Sequence, residues 1–86
     1  MKSRKALYES LKTIEGAMLP KTYKDFSNET YGKQSMIYPS FDTVENRFKG
    51  ERILIDLGYK VNTGYYLGSA TTSVQVSYFK GDRWWE

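Results

Sequence analysis

The hydrophobic positions of the first twenty residues repeat with the spacing of an α-helix. Four apolar side chains stand at i, i+4, i+7 and i+11, so that they share one stripe of a helix. This stripe consists of Leu7, Leu11, Ile14 and Met18. Ser3 is a suitable N-cap, and Pro20 stops a helix because proline lacks the backbone N–H. The pattern therefore predicts an N-terminal helix over residues 3–18.

Further along, between residues 51 and 61, the apolar positions alternate with polar ones, which is the period of a β-strand. The apolar side chains occupy every odd position of this segment: Ile53, Ile55, Leu57, Tyr59 and Val61. Among the even positions, Leu54 alone is apolar. We therefore predict a strand here.

A helix over residues 43–57 competes with that strand. Asp42 and Glu45 resemble a capping box, and Gly58 follows the segment as a helix C-cap glycine would. Against the helix, Gly50 would fall in its middle, and its apolar side chains would lie on opposite sides of its axis. These two objections favour the strand.

A second alternating segment spans residues 72–80. One side carries Val74, Val76 and Tyr78, and the other carries Ser73, Gln75, Ser77 and Phe79. Glycine-centred turns separate the apolar runs, as in a series of hairpins. The predicted fold class is α+β, with the N-terminal helix packed on an antiparallel β-meander of four to five strands within residues 42–86.

The segment from residue 20 to residue 41 has no sustained period. Polar residues alternate there with single aromatic rings, at Tyr23, Phe26, Tyr31, Tyr38 and Phe41. A disordered linker would be poorer in aromatic residues. We predict an ordered loop that its rings attach to the rest of the domain, with a short strand at Ser35–Tyr38.

Length and composition favour a single small domain without catalytic chemistry. The 86 residues contain no cysteine and no histidine, which removes thiolate nucleophiles, disulfides, zinc–thiolate sites and the commonest general base. The ten acidic residues are spread along the chain rather than clustered as a metal site requires. We expect neither an enzyme nor a cofactor.

Charge and hydropathy bear on the compartment and on the partners. The net charge of +3 is a weak indication of polyanion binding. The longest aliphatic run, Ile53-Leu54-Ile55, is far too short to span a membrane. Charged residues interrupt residues 6–12, where a signal peptide would be apolar. The expected location is the cytoplasm, without membrane association.

Aromatic residues make up 16% of the chain, and several of them are adjacent pairs. Neighbouring side chains of a strand point to opposite faces, so each pair sends one ring away from the helix-covered face. The predicted partner-binding residues are Tyr65, Tyr66, Tyr78, Arg83, Trp84 and Trp85. A secondary basic patch is predicted at Arg4, Lys5 and Lys12, near the start of the helix.

Three functions compete for this aromatic and basic face. An aromatic and arginine-rich surface is typical of a protein-binding hot spot, so we expect a small binding or inhibitor protein that occupies a surface of a larger protein or nucleoprotein. Such a small chain suits, by analogy, an accessory protein of a virus or mobile element. The alternatives are single-stranded nucleic acid stacked on the rings and homodimerisation through the last strand. Alternatively, residues 20–41 cover this face and bury its rings.

Overall fold

The computed structural model describes residues 3–62 and 72–79 of the chain. The helices are α1 (Arg4–Leu11) and α2 (Val44–Asp56), and a short 3-10 helix spans Tyr23–Asp25. The strands are β1 (Ala17–Met18), β2 (Asn28–Tyr31), β3 (Gln34–Ile37), β4 (Ser40–Phe41), β5 (Val61–Asn62) and β6 (Gln75–Phe79). The predicted α+β class, with an N-terminal helix and antiparallel strands, is confirmed.

Four strands form the main antiparallel sheet, in the order β2-β3-β6-β5. Its centre is the β3–β6 pair, in which Ile37 lies opposite Val76, and Val76 in turn lies opposite Val61 of β5. Strands β1 and β4 form a separate two-stranded sheet. The prediction of a meander within residues 42–86 is wrong, because three of the six strands in the described part of the chain come from residues 28–41 and β6 lies between β3 and β5.

The inner face of the main sheet packs with the helices in one hydrophobic core. Ile37, Val74, Val76 and Tyr78 contribute from the strand side, and Leu7, Leu11 and Leu54 from the helices. Of the alternation predicted for residues 72–80, the apolar side is confirmed, since Val74, Val76 and Tyr78 are buried. On the other side Phe79 is exposed, but Gln75 is buried as well. The helix stripe is confirmed for Leu7 and Leu11, and Ile14 is also buried, although it lies in the turns that follow the helix.

Helix α1 ends at Leu11, seven residues before the predicted end. Its start is as expected, because the Ser3 hydroxyl accepts a hydrogen bond from the Ala6 amide at 3.0 Å. After Leu11 the chain tightens into turns, where the Thr13 hydroxyl donates to the Ser10 carbonyl at 2.7 Å. Met18 therefore lies in β1 with 59% of its surface exposed, and its predicted place in the helix stripe is wrong.

Residues 44–56 form a helix, so the strand predicted over residues 51–61 is wrong. The N-cap is Thr43, whose hydroxyl accepts from the Asn46 amide at 3.1 Å. At the other end, the Gly58 amide donates to the Ile55 carbonyl and the Tyr59 amide to the Leu54 carbonyl, at 2.9 and 3.0 Å. This pair of bonds is a Schellman motif, which the φ of +92° at Gly58 permits.

The glycine in the middle of α2, Gly50, was an objection to predicting a helix here. A close contact with Phe41 explains why glycine occupies this position. A Cβ built on Gly50 would overlap the Phe41 ring, with Cε2 at 2.6 Å and Cζ closer still. The missing side chain thus lets Phe41, which is fully buried in β4, lie directly on the helix backbone. Packing across α2 and β4 offsets the intrinsic cost of a mid-helix glycine, about 1 kcal/mol.

Candidate functional site

The buried face of α2 is polar rather than apolar. It consists of Arg47, Gly50, Glu51 and Leu54, at i, i+3, i+4 and i+7. The Arg47 side chain is completely buried, and both Nε and Nη2 lie 2.8 Å from Glu51 Oε1. An ion pair therefore occupies helix positions where a small domain usually places leucine or isoleucine.

Apart from Leu54, which joins the core, the apolar side chains of α2 lie on its two flanks. Val44, Phe48 and Ile55, at i, i+4 and i+11, share one flank, which we call the α2 ridge. They are 39%, 44% and 42% exposed. Ile53 and Leu57 lie on the opposite flank and are exposed to a similar degree. This arrangement explains the objection from the sequence that apolar residues would lie on opposite sides of the helix, because neither flank is the buried face.

Exposed apolar side chains that share one helix flank are a candidate interaction site, and Val44 and Phe48, one turn apart, are neighbours on this flank. The exposed residues between the two flanks of α2 carry both charges: Glu45, Lys49, Arg52 and Asp56. Arg47 lies beneath the ridge, with its guanidinium carbon 5.3 Å from the centre of the Phe48 ring. The ridge was not predicted because the helix over residues 43–57 was rejected in favour of a strand over residues 51–61, although the caps at residues 43 and 58 mark the helix.

The outer face of the main sheet carries aromatic rings, as the parity argument predicts. Tyr31 of β2 lies in one row with Gln34 of β3 and Phe79 of β6. Phe79 is exposed, and its ring lies 4.8 Å from Lys60 Nζ. The ordered loop predicted for residues 20–41 is wrong over β2, which pairs with β3 in this sheet. The short strand predicted at Ser35–Tyr38 is confirmed by β3, which spans Gln34–Ile37.

A carboxylate lies between two of the tyrosines on this face. Tyr31 and Tyr38 both donate their hydroxyl hydrogens to Oε2 of Glu29, at 3.2 and 3.0 Å. The hydrogen bond and the negative charge of Glu29 raise the pKa of Tyr31 above its ordinary value. Among the described residues, Oε1 of Glu29 accepts no hydrogen bond.

Most of the partner-binding residues predicted from the sequence lie outside the part of the chain that the structure describes. Tyr65, Tyr66, Arg83, Trp84 and Trp85 lie outside the described residues. Tyr78 is described, and the prediction that it anchors a partner needs correction. Only 9% of its surface is exposed, because β6 directs its ring into the core together with Val74 and Val76.

The three residues of the predicted basic patch lie in different environments. Arg4 is half-buried, while Lys5 is exposed on α1. Lys12 forms an ion pair with Glu9, at 3.3 Å, and its Nζ lies 4.9 Å from the centre of the Tyr8 ring. The charge of Lys12 is therefore partly compensated, which weakens the patch as an anion-binding surface.

Within residues 3–62 and 72–79, no group of three or more acidic residues is placed to hold a metal ion. Over the same residues, the structure contains no helix of the length and hydropathy that crossing a membrane requires. A pocket of about 150 Å³ lies beside the 3-10 helix and is lined by Met18, Pro20, Asp25, Phe26, Ser27, Tyr38, Pro39 and Ser40.

Comparison of the chain with protein-family models, with curated proteins and with solved structures finds no match in any of the three. The α2 ridge and the outer face of the sheet are therefore the features from which a function can be inferred.

Proposed function

We propose that the protein is a non-enzymatic binding protein that occupies a surface of a larger protein or nucleoprotein, with the α2 ridge as its anchor on a protein component. The observation that carries this proposal is the reversed placement of side chains on α2. A helix that buries Arg47 and Glu51 while exposing Val44, Phe48 and Ile55 leaves apolar surface for a partner to cover. We place the interaction in the cytoplasm, the compartment expected from the sequence.

A larger partner fits the ridge better than a second copy of the chain does. With roughly 150–250 Å² for a whole aromatic side chain, the three ridge residues expose roughly 200 Å² in total. A stable interface buries about 800 Å² on each partner. A second copy would contribute only the same small ridge, whereas a larger protein can surround it and cover the neighbouring surface as well.

Nucleic acid is a weaker candidate for the described surfaces. The exposed face of α2 carries both acidic and basic residues, so it offers no continuous positive stripe for phosphates. On the outer face of the sheet, the hydroxyls of Tyr31 and Tyr38 converge on the Glu29 carboxylate, which repels a polyanion. Both observations support a protein partner.

Tryptophan fluorescence tests the nucleic-acid alternative, because the chain has two tryptophans, Trp84 and Trp85. We expect no quenching when a single-stranded oligonucleotide is added at low ionic strength. Bases stacked on aromatic side chains would quench the emission, and the effect would disappear steeply as salt is added. Salt-sensitive quenching would contradict the choice of a protein partner.

Capture of partners by the immobilised protein tests the proposal, with two phenylalanines as a matched pair. Phe48 on the ridge and Phe79 on the sheet are both about half exposed. We expect Phe48→Ser to lose a partner that wild type and Phe79→Ser both retain, since truncating a central aromatic anchor costs about 2 kcal/mol or more of binding free energy. Equal retention by both variants would contradict the ridge.

The aromatic cluster predicted from the sequence enters the proposal as a second contact. This cluster also includes Tyr65, Tyr66 and Trp84. Trp85→Ala and Arg83→Ala are the variants that test it. Loss of the partner in these variants but not in Phe48→Ser would move the anchor to the carboxyl end.

Light scattering tests homodimerisation. It should give a monomer, and a dimer that Phe48→Ser dissociates would favour homodimerisation instead.

A further inference from the structure

Strand β2 leaves one edge of the main sheet without a neighbour among the described residues. It is the first strand in the order β2-β3-β6-β5, and all four of its residues are exposed. An edge strand presents backbone N–H and C=O groups that an extended segment of another chain can pair with. Within Asn28–Tyr31 there is neither a proline nor a lysine, two of the residues that commonly protect such edges.

The register of the β2–β3 hairpin shows which backbone groups face the open edge. The two-residue turn at Gly32 and Lys33 makes Tyr31 and Gln34 the closing, hydrogen-bonded pair. Because hydrogen-bonded and non-bonded pairs alternate in an antiparallel ladder, Asn28 and Thr30 direct their N–H and C=O groups away from β3. These two residues supply the donors and acceptors for an added strand.

Between these two residues, the Glu29 side chain makes the edge favour a positively charged partner. Glu29 is exposed, and its Oε2 already accepts from Tyr31 and Tyr38, while Oε1 has no donor among the described residues. A carboxylate with a free oxygen beside two phenol rings suits a guanidinium group, which can donate to oxygen and stack on an aromatic face. A second copy of β2 would bring a second carboxylate and no cation.

We propose that the edge of β2 binds an extended segment of a partner protein that carries an arginine opposite Glu29. Main-chain hydrogen bonds to Asn28 and Thr30 hold the segment, and the arginine selects it. Tyr31 lies on the same face as Glu29, 65% exposed, so a residue two positions from the arginine packs on the Tyr31 ring. This site is separate from the α2 ridge.

Fluorescence anisotropy with a labelled hexapeptide, Ile-Thr-Arg-Thr-Ile-Thr, tests this site in the full chain. The peptide with glutamate in place of arginine is the control. We expect the arginine peptide to bind, and Glu29→Gln to weaken it about tenfold by removing the charge from the hydrogen bond. Glu29→Lys should reverse the preference, so that the glutamate peptide binds more tightly than the arginine peptide.

Thr30→Pro provides an independent variant, because it removes an open-edge N–H and leaves the backbone hydrogen bonds between β2 and β3 in place. It also removes the 2.9 Å hydrogen bond between the Thr30 and Ser35 hydroxyls, so Thr30→Val, which removes that bond alone, is its control. Thr30→Pro should abolish peptide binding while the circular dichroism spectrum is retained. Ile55→Ser on the α2 ridge should leave peptide binding unchanged, which separates this proposal from the proposed function. Equal binding of the two peptides, no binding, or a wild-type dimer that Thr30→Pro dissociates would each overturn the inference.

Discussion

Replacing Arg47 by methionine is expected to lower the free energy of unfolding by about 3–5 kcal/mol, the usual cost of removing one partner from a buried ion pair. The Glu51 side chain is only 5% exposed, so its carboxylate would lose Arg47 without gaining water in exchange. For a domain whose total stability is about 5–15 kcal/mol, this is a large fraction. Urea denaturation followed by circular dichroism measures the change.

The double variant Arg47→Met with Glu51→Leu is the informative control. Buried ion pairs replaced by apolar residues of similar volume are often neutral or even stabilising. We therefore expect Glu51→Leu to restore most of the stability that Arg47→Met removes. A single variant that costs less than about 1 kcal/mol would contradict the burial of this pair.

Gly50→Ala is expected to destabilise the protein by roughly 1–3 kcal/mol, the cost of overpacking a core. On an exposed helix the same substitution stabilises by up to about 1 kcal/mol, because alanine is the better helix former. The two effects have opposite signs, so the sign of the measured change reports whether a side chain packs against residue 50. The Phe41 ring at 2.6 Å from the added Cβ makes the steric effect the larger one.

A double-mutant cycle with Phe41→Leu tests the cause of that loss. If the Phe41 ring is the obstacle, Gly50→Ala costs less in the Phe41→Leu background than in wild type. For residues in direct contact we expect a coupling free energy of about 0.5–3 kcal/mol. Additive effects of the two substitutions, or a stabilising Gly50→Ala, would place Phe41 away from the helix.

The parts of the fold that the sequence predicted are those with local patterns. The start of α1 is marked by Ser3, and the strand at Gln75–Phe79 was recognisable because one of its faces is apolar and lies in the core. Strand β2 gave no such signal, because an edge strand with four exposed residues has no alternation to detect.

Helix α2 was missed because its burial does not follow hydrophobicity. Arg47 and Glu51 form an ion pair in the core, and Gly50 makes room for a ring from a distant strand. Both are tertiary effects that no periodicity of the segment itself reveals. The end signals were present, since Thr43 and Gly58 cap the helix as local rules predict, and giving more weight to caps than to alternation would have identified it.

The same reasoning applies to the candidate sites. The α2 ridge follows from the helix, so the error in secondary structure concealed it. The aromatic outer face was predicted by parity, and Phe79 confirms that argument, while Glu29 was not singled out because its position between two tyrosines depends on the β2–β3 register.

The most direct test of the account is calorimetric titration of the captured partner with Ile55→Ser and Ile53→Ser. These isoleucines are 42% and 40% exposed on the same helix, two positions apart and on opposite flanks, so their substitutions cost similar helix propensity. The account predicts that Ile55→Ser raises the Kd about tenfold or more, while Ile53→Ser changes it less than about twofold. Equal effects of the two variants, or a larger effect of Ile53→Ser, would contradict it.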